Sequence, residues 1–534
     1  MLTQSVQAGF TLSQRTVLVR LDIHKAFDKV WPDALRFRLH KLGLRGRMLA
    51  WITSFMQNRK YRVVRPATTE YTTFDLGVPQ GSGLSPLLFN LFIAEISHLL
   101  HCDHVEFADD LTLYYSHWDD RTTIDLLNEN LRTIEDWAQR WRVEFGDKNS
   151  YFVFHSGPDI DVEAMGGLQF FSRALTRERE SVCLLGVHLD RQLTFRHNTD
   201  MLLTECRRRR NTLRGLLGTG LVHNPQALLI AYKGFVRSKI EVTCAVYCTL
   251  SAQQKGELEA LQNSCLRLIL FSRANTPGVI LQNECSTSSL ESRREDIVIR
   301  TYCKILAFPR DHPLRECLEA WWRNDRPNEL ATSGHRPRSF FGVAFHLHIK
   351  YFGEPPPRKP PPALKHLVPL PPWDALHIPA NKIDLLKDFR CNLRQLRRTE
   401  QMRDLMSARA AFDYCGHHPA SRRDLLDCMP LKRIELKIIA RLRSGYAAIG
   451  HRTRHGGIIP CPGCGQYDTL QHMLLLCPAY DAARECYLRN VAPHTGLDPS
   501  ISLLLGFDAN MPAEELRCIT SITAKFVLAI GRHI

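Results

Sequence analysis

The chain has no apolar run long enough to cross a membrane uninterrupted. The longest, LSPLLFNLFIAEISHLL, is broken by Glu95. Its opening stretch, MLTQSVQAGFTLSQRTVLVRLD, lacks the apolar core and cleavage pattern of a secretory leader. An intracellular location, nucleus and cytoplasm, is therefore expected, and secretion is not. A disulfide framework is missing as well: the cysteines number 17, an odd count, and most are scattered. That pattern suits buried thiols in a reducing compartment. Acidic excess is absent too, with 70 Lys and Arg against 55 Asp and Glu, a net charge of +15. The pI of about 9.2 makes nucleic acid or an anionic surface the first partner to consider. A soluble protein with a merely basic surface carries the same charge. No internal repeat is present, which excludes solenoid architectures.

What is there is a chain of 534 residues, 44% hydrophobic. That is enough for roughly two to four domains with their own cores. Residues 1–200 alternate strand-like and helix-like stretches. TVLVRLDI reads as a strand and PDALRFRLHKLG as a helix, with Pro32 near its start and Gly43 as its stop. MLAWITSFMQNR reads as a second helix. In SPLLFNLFIAEISHLL, Ser85 can cap the first turn and Pro86 fits the first helical position. That helix is apolar nearly all round, so burial is expected. HVEFADDLTLYY alternates on both sides of an acidic turn, as a β-hairpin does. Helical patterns dominate 201–330, a proline-rich linker is expected over 331–375, and a basic helical region fills 376–534.

Three stretches carry chemistry. VRLDIHKAFDKVW ends a strand at Asp22 and is expected to continue into a helix. GVPQGSGLSPLLFN is a glycine-containing loop that opens a buried helix. FADDL sets Asp109 and Asp110 side by side at a hairpin tip. Adjacent carboxylates repel, and two Mg²⁺ ions held by a few carboxylates are a chemical reason to keep them together. Such ions lower the pKa of an attacking hydroxyl and stabilise charge on a phosphate undergoing displacement. Singly, each stretch has a bland reading: a solvated turn, a helix cap, a loop.

In that order, LDIHKAFDKVW, GVPQGSGLSPLLFN and FADDLTLY resemble the palm of reverse transcriptases, most of all those of non-LTR, LINE-type retrotransposons. The resemblance implies an α+β fold: a right-hand palm of antiparallel sheet and packed helices, with a helical thumb and connection. It implies that Asp22, Asp109 and Asp110 hold the catalytic Mg²⁺ ions, helped by the Ile23 carbonyl. Phe27 stands where the family places the aromatic gate against a ribose 2′-hydroxyl; core packing is its ordinary role. Gln80 and Gly81 match the loop that contacts nucleotide and template. WAQRWRVEFGDKNSYFVFHS resembles the next palm segment, with Lys148 as the candidate proton donor to pyrophosphate. The family places an Asn and a longer turn before that lysine, whereas Gly146 and Asp147 stand here. CLLGVHLDRQLTF resembles the primer-grip hairpin, and the following helices resemble the thumb, where Arg207, Arg208, Arg209 and Arg210 would track duplex phosphates. A bare basic run is otherwise a solvated helix face.

The pattern also departs from the family. Asp22 stands close to the start of the chain, so a largely missing fingers region is expected, and with it weakened triphosphate binding. No RNase H domain is expected after the linker. CPGCGQYDTLQHMLLLCPAY spaces Cys461, Cys464, His472 and Cys477 as C-x2-C-x7-H-x4-C. Two thiolates on one turn, completed by a histidine and a cysteine from a short helix, suit one structural Zn²⁺. Gly463 and Gly465 fit a tight knuckle. The cluster resembles the C-terminal zinc-binding segment of non-LTR elements, and the basic stretch before it, with Tyr446, is compatible with RNA. A zinc-stabilised cap without RNA contact has the same residues.

The resemblance thus implies an RNA-directed DNA polymerase acting with an RNA template, a DNA primer and dNTPs, and no membrane or specific protein partner. The alternative is a catalytically inactive, nucleic-acid-binding remnant of such an element. Polymerases of mobile introns and telomere maintenance share the palm strings, but the cysteine cluster points to LINE-type elements.

Overall fold

Helix α1 (Leu2–Thr11) leads into strand β1 (Arg15–Asp22), followed by α2 (Pro32–Lys41) and α3 (Gly46–Met56). A short hairpin, β2 (Arg59–Tyr61) and β3 (Thr72–Phe74), precedes α4 (Ser85–Ile93) and α5 (Ile96–Leu99). Then come β4 (Asp103–Phe107), β5 (Asp110–His117), the long α6 (Asp120–Trp141) and β6 (Ser150–Phe154). Short strands close the segment: β7 (Gln169–Phe170), β8 (Arg173–Ala174), β9 (Thr176–Arg177), β10 (Ser181–Leu184) and β11 (Val187–Asp190). The computed structural model describes residues 1–62, 64, 69–74, 76–218, 225–306, 308–309, 311–324, 339–352, 431–443, 460–495, 499–507 and 511–532. These fall into two units, Met1–Asn198 and Thr199–Ile534.

The first unit is built on a five-stranded sheet in the order β4-β5-β1-β6-β9. β1 is its centre because its run is apolar on both faces: Val17, Leu18, Val19 and Leu21 are all fully buried. Each such side chain contributes about 1.5–3 kcal/mol by leaving water. Helices α1 and α6 both pack on β1 and β5. Asp119 caps α6, accepting from the Thr122 N–H at 3.1 Å, and Arg142 ends it in a left-handed conformation. Glu95, which breaks the apolar run of the sequence, is a junction. One carboxylate oxygen accepts from Arg38 of α2 and the other from the Trp141 indole of α6, each at 2.8 Å.

Several expectations change at this level. After Asp22 the chain does not continue into a helix. Lys25 takes φ +49°, and residues 24–29 form hydrogen-bonded turns until α2 starts at Pro32. The apolar segment from Ser85 is two short helices rather than one, and Ser85 is their first helical residue rather than the cap. Its hydroxyl donates to the Pro79 carbonyl at 2.5 Å instead of to its own helix.

The described residues at the start of the second unit form α7 (Arg196–Gly218), α8 (Pro225–Ala231), α9 (Ser238–Glu241), α10 (Ala252–Leu270), α11 (Gly278–Glu284), α12 (Leu290–Leu306) and α13 (Pro313–Asn324). A capping box opens α10, in which Ser251 and Gln254 exchange side-chain and backbone hydrogen bonds. Inside the range expected as a linker lies a helix, α14 (Phe340–Phe352), because FFGVAFHLHIKYF is rich enough in apolar residues to bury Phe341, Ala344, Phe345 and Leu347. The proline-rich string that follows it lies outside the described residues, as does the stretch 376–430 where an RNase H domain was not expected. The described C-terminal helices are α15 (Arg433–Arg443), α16 (Asp481–Thr495), α17 (Ile501–Leu504) and α18 (Ala513–Ala529). Among the described residues no helix is long and apolar enough to cross a membrane.

Candidate active site

The antiparallel register of β1 and β5 sets Asp22 directly opposite Asp110. The backbone of Asp22 turns away from β5: its N–H donates to the Asn149 side chain at 3.0 Å, and its carbonyl accepts from the Gly146 N–H at 2.7 Å. The two aspartates are thus a pair without mutual backbone hydrogen bonds, the arrangement that brings facing side chains closest. Asp109 joins them through the next rung, where its carbonyl accepts from the Ile23 N–H at 3.1 Å. The turn between β4 and β5 is Ala108-Asp109, with Ala108 at φ +54°. A residue with a Cβ is strained in that conformation, and strain of this kind collects at functional sites.

Like charges facing across a ladder oppose pairing. The protein only partly offsets them. Asp110 has its pKa raised, first by burial, then by the neighbouring charges of Asp109 and Asp22, against a lowering by Arg20. Arg20 lies two residues before Asp22, hence on the same face of β1. Its guanidinium donates to the Cys183 carbonyl at 3.0 Å and pairs with Glu178 at 3.1 Å. The sequence reading missed Arg20, although period two from Asp22 marks it.

The loops that Asp22 leans on are equally specific. A Cβ on Gly146 would lie 2.9 Å from the Asp22 Oδ2, so the glycine at this departure from the family pattern lets the turn close on Asp22. Asn149 completes the clasp, donating to the Gly146 carbonyl at 2.9 Å. Lys148, between them, is exposed. Ile23 is buried and bridges to Phe145. Phe27 is half-buried with its ring stacked on Phe89, centroids 5.0 Å apart. The glycine loop is pinned to that same segment: Gly77 N–H donates to Val30 and Val78 N–H to Phe27, both at 2.7 Å. Gly77 has φ +79°, and a Cβ there would meet the Phe27 carbonyl at 2.5 Å. Gln80 is exposed and donates to Asp28 at 2.8 Å, and Gly81 is exposed with φ +84°. The hairpin expected at 183–195 begins at Ser181, and its turn, Leu185-Gly186, has positive φ at both residues.

The arginine run does not present four free cations. Arg208 pairs with Glu205 at 3.0 Å and Arg209 with the same carboxylate at 2.8 Å. Arg209 also donates to the Phe235 carbonyl at 2.7 Å and lies over its ring. Arg210 donates to Ser264 and Asn211 at 3.3 and 3.0 Å. Arg207 is exposed, with no such partner among the described residues. An acidic residue one turn earlier and helix neighbours in the second unit absorb the rest.

The cysteine cluster closes as its spacing predicts. Cys464 Sγ lies 3.1 Å from His472 Nε2, and Cys477 Sγ lies 3.6 and 3.7 Å from the sulfurs of Cys461 and Cys464. The donor atoms all fall within 4.8 Å of one another, and among the described residues this is the one such group. His472 opens a short π-helical turn, His472–Leu476, that ends at Cys477. Gly465 has φ +77°, and a Cβ on Gly463 would meet Ala479 at 2.8 Å, so both knuckle glycines are required. Part of the basic stretch upstream is structural. Arg443 is fully buried against Glu284 at 3.1 Å and lies over the Phe507 ring. Tyr446 lies outside the described residues.

The first unit thus holds a register-matched acidic pair, a strained acidic turn beside it and a glycine loop clasped to the following segment. Residues 3–189 match the family model described as reverse transcriptase (RNA-dependent DNA polymerase). The curated relatives that the chain resembles are RNA-directed DNA polymerases of mobile elements. The chain is 24% identical over 306 residues to a probable RNA-directed DNA polymerase from transposon BS of Drosophila melanogaster, covering 55% of this chain and 33% of that protein. It is 26% identical over 258 residues to the RNA-directed DNA polymerase from mobile element jockey of Drosophila funebris, covering 47% and 28%. The chain thus spans about a third of the length of these curated relatives. Among solved structures it is similar to a telomerase from Candida tropicalis in complex with a fragment of telomeric RNA, at 12% identity and TM-score 0.29, over 60% of this chain and 51% of that one.

Proposed function

We propose that this chain is an RNA-directed DNA polymerase of a non-LTR retrotransposon, joining dNTPs to a DNA 3′ end on an RNA template. The observation that carries the reading is the Asp22–Asp110 register, with Asp109 in the adjoining turn. Three half-buried carboxylates, one with its pKa raised by burial and by the other two, form a donor set of hard oxygens that a divalent cation compensates. The residues fit Mg²⁺, and Asp22, Asp109 and Asp110 would hold it with the Ile23 carbonyl. Two such ions supply activation of the attacking 3′-hydroxyl and charge stabilisation on the displaced phosphate.

The remaining roles belong to the chain. Gly146 and Asn149 fix the end of β1 and so orient Asp22. Phe27, held by Phe89, is rigid enough to crowd a ribose 2′-hydroxyl and favour deoxynucleotides. Gln80 and Gly81 are the residues that would contact nucleotide and template, a reading supported by their exposure on a loop tied to the Phe27 segment. Lys148, exposed in the turn beside Asp22, is the donor of a proton to leaving pyrophosphate. In the second unit the cysteine cluster fits one structural Zn²⁺. Sulfurs about 2.3 Å from a tetrahedral ion lie about 3.8 Å apart, close to the spacing found. The protein acts in the nucleus and cytoplasm, where its nucleic acids are.

Primer extension on an RNA template tests this reading, with Asp109→Asn as the control. Mg²⁺-dependent extension by the wild-type chain alone supports it. No extension by the wild type overturns it and leaves a nucleic-acid-binding remnant.

A further inference from the structure

The hairpin of β2 and β3 pairs Arg59 with Phe74, Lys60 with Thr73 and Tyr61 with Thr72. Side chains alternate along a strand, and directly opposed residues share a face. One face therefore carries Arg59, Tyr61, Thr72 and Phe74, and the other Lys60 and Thr73. Arg62 lies over the Tyr71 ring, 4.9 Å from its centroid, and this pair continues the second face.

The first face holds the hairpin in place. Arg59 lies over the Phe74 ring and donates to the Met56 carbonyl at 3.1 Å and to the Gly77 carbonyl at 2.8 Å. Gly77 opens the loop that carries Gln80 and Gly81, so the hairpin is fixed to the edge of that loop. A two-stranded ribbon is marginal in water by itself, and this anchor gives it a fixed place.

The second face has no such task. Lys60, Arg62, Tyr71 and Thr73 are all exposed, Tyr71 by 61%, and Tyr61 on the first face is 52% exposed. Neither Lys60 nor Arg62 has a carboxylate or other acceptor among the described residues. Glu70 is the one carboxylate of the described hairpin residues, against Arg59, Lys60 and Arg62. Free cations match phosphates. Exposed aromatic rings add nothing to a phosphate contact but give a base a flat surface to stack on. Such a mixture suits a strand whose bases are unpaired rather than a duplex.

We propose that this hairpin binds the unpaired stretch of an RNA template ahead of the acidic centre, with Lys60 and Arg62 on phosphates and Tyr71 against a base. That the strand is a template rests on the polymerase reading. That the face takes an unpaired strand rests on the hairpin alone.

The test is fluorescence anisotropy of the full chain with two RNA–DNA duplexes, one blunt and one with an RNA 5′ overhang of about six nucleotides. The ratio of the two affinities isolates the unpaired strand from every contact made to the duplex. Wild type and Asp109→Asn are expected to favour the overhang alike, by roughly fivefold or more, which separates this binding from catalysis. Tyr71→Ala is expected to lose most of that preference and Tyr71→Phe to keep it, because the ring and not the hydroxyl does the stacking. Lys60→Gln combined with Arg62→Gln changes two exposed groups without acceptors, so melting should stay the same, and it decides the question if Tyr71→Ala does not fold. It is expected to lower the salt slope of overhang binding by about 1.4, the value for two phosphate contacts on a single strand. The proposal is overturned if the overhang adds no affinity, if Tyr71→Ala keeps the full preference, or if the double variant leaves the salt slope unchanged. A wild type that prefers the overhang but extends no primer sinks the polymerase reading and leaves the hairpin as a site for unpaired RNA.

Discussion

Asp22 and Asp110 face each other on adjacent antiparallel strands, and the backbone of Asp22 is tied not to β5 but to Gly146 and Asn149 on the other side. The acidic centre is therefore held from behind. The clasp sets the position of Asp22, while the repulsion with Asp110 is left for a ligand to relieve.

The clasp makes Gly146 a positioning residue. Gly146→Ala puts a methyl 2.9 Å from the Asp22 Oδ2 and should reduce primer extension by about tenfold or more, since small displacements of reacting groups are costly. Gly157→Ala, whose Cβ meets nothing within 4 Å, should leave extension unchanged. Comparable melting of the two variants would place the loss at the site rather than in the fold.

Gly77 is a fold requirement of the same neighbourhood. With φ +79° and the Phe27 carbonyl 2.5 Å from a would-be Cβ, Gly77→Ala should destabilise the first unit by about 2–4 kcal/mol. Urea unfolding checks this, and an effect under about 0.5 kcal/mol would contradict the account.

How far these features are legible in the sequence depends on their range. β1, the acidic hairpin and the cysteine cluster are local patterns: alternation, an Asp-Asp turn, ligand spacing. They stand where the sequence places them. Gly146, Asn149 and Gly77 are not legible, because each matters only through a contact with a segment distant in the chain. The surroundings of the arginine run are legible only in part: Glu205 is a helix neighbour in sequence, but Phe235, whose carbonyl accepts from Arg209, is distant in the chain. The helix expected after Asp22 fails because Lys25 adopts a left-handed φ that no propensity scale marks.

Zinc should hold the C-terminal cluster together. Chelation of the full chain, or Cys461→Ser, should release about one zinc per chain and increase amide exchange over residues 460–495, because metal binding and local folding are one equilibrium. Unchanged exchange after metal loss would show that packing alone maintains the segment.

In the second unit, Glu241 receives both arms of Arg293 at 2.8 Å and lies 3.1 Å from Arg237. Although burial opposes it, these cations hold its pKa below the ordinary glutamate value. A depressed folded pKa gives stability that is present above the unfolded value and lost as pH falls through the folded one. Glu241→Gln should cost about 1–2 kcal/mol at pH 7, discounted for partial exposure, and the difference should shrink as pH falls below about 4. Chemical denaturation across pH measures it.

The central claim is that three aspartates tolerate each other because they form a divalent cation site. Thermal melting of the wild type and of Asp110→Asn, with and without Mg²⁺, tests it most directly. Without Mg²⁺ at pH 7, Asp110→Asn should be as stable as the wild type or more so, by about 0.2–1 kcal/mol, because a repulsive facing pair is removed. Mg²⁺ should then stabilise the wild type in proportion to its binding and leave the variant nearly unmoved. Equal response to Mg²⁺ in both proteins, or a variant less stable than the wild type without the ion, would contradict the account.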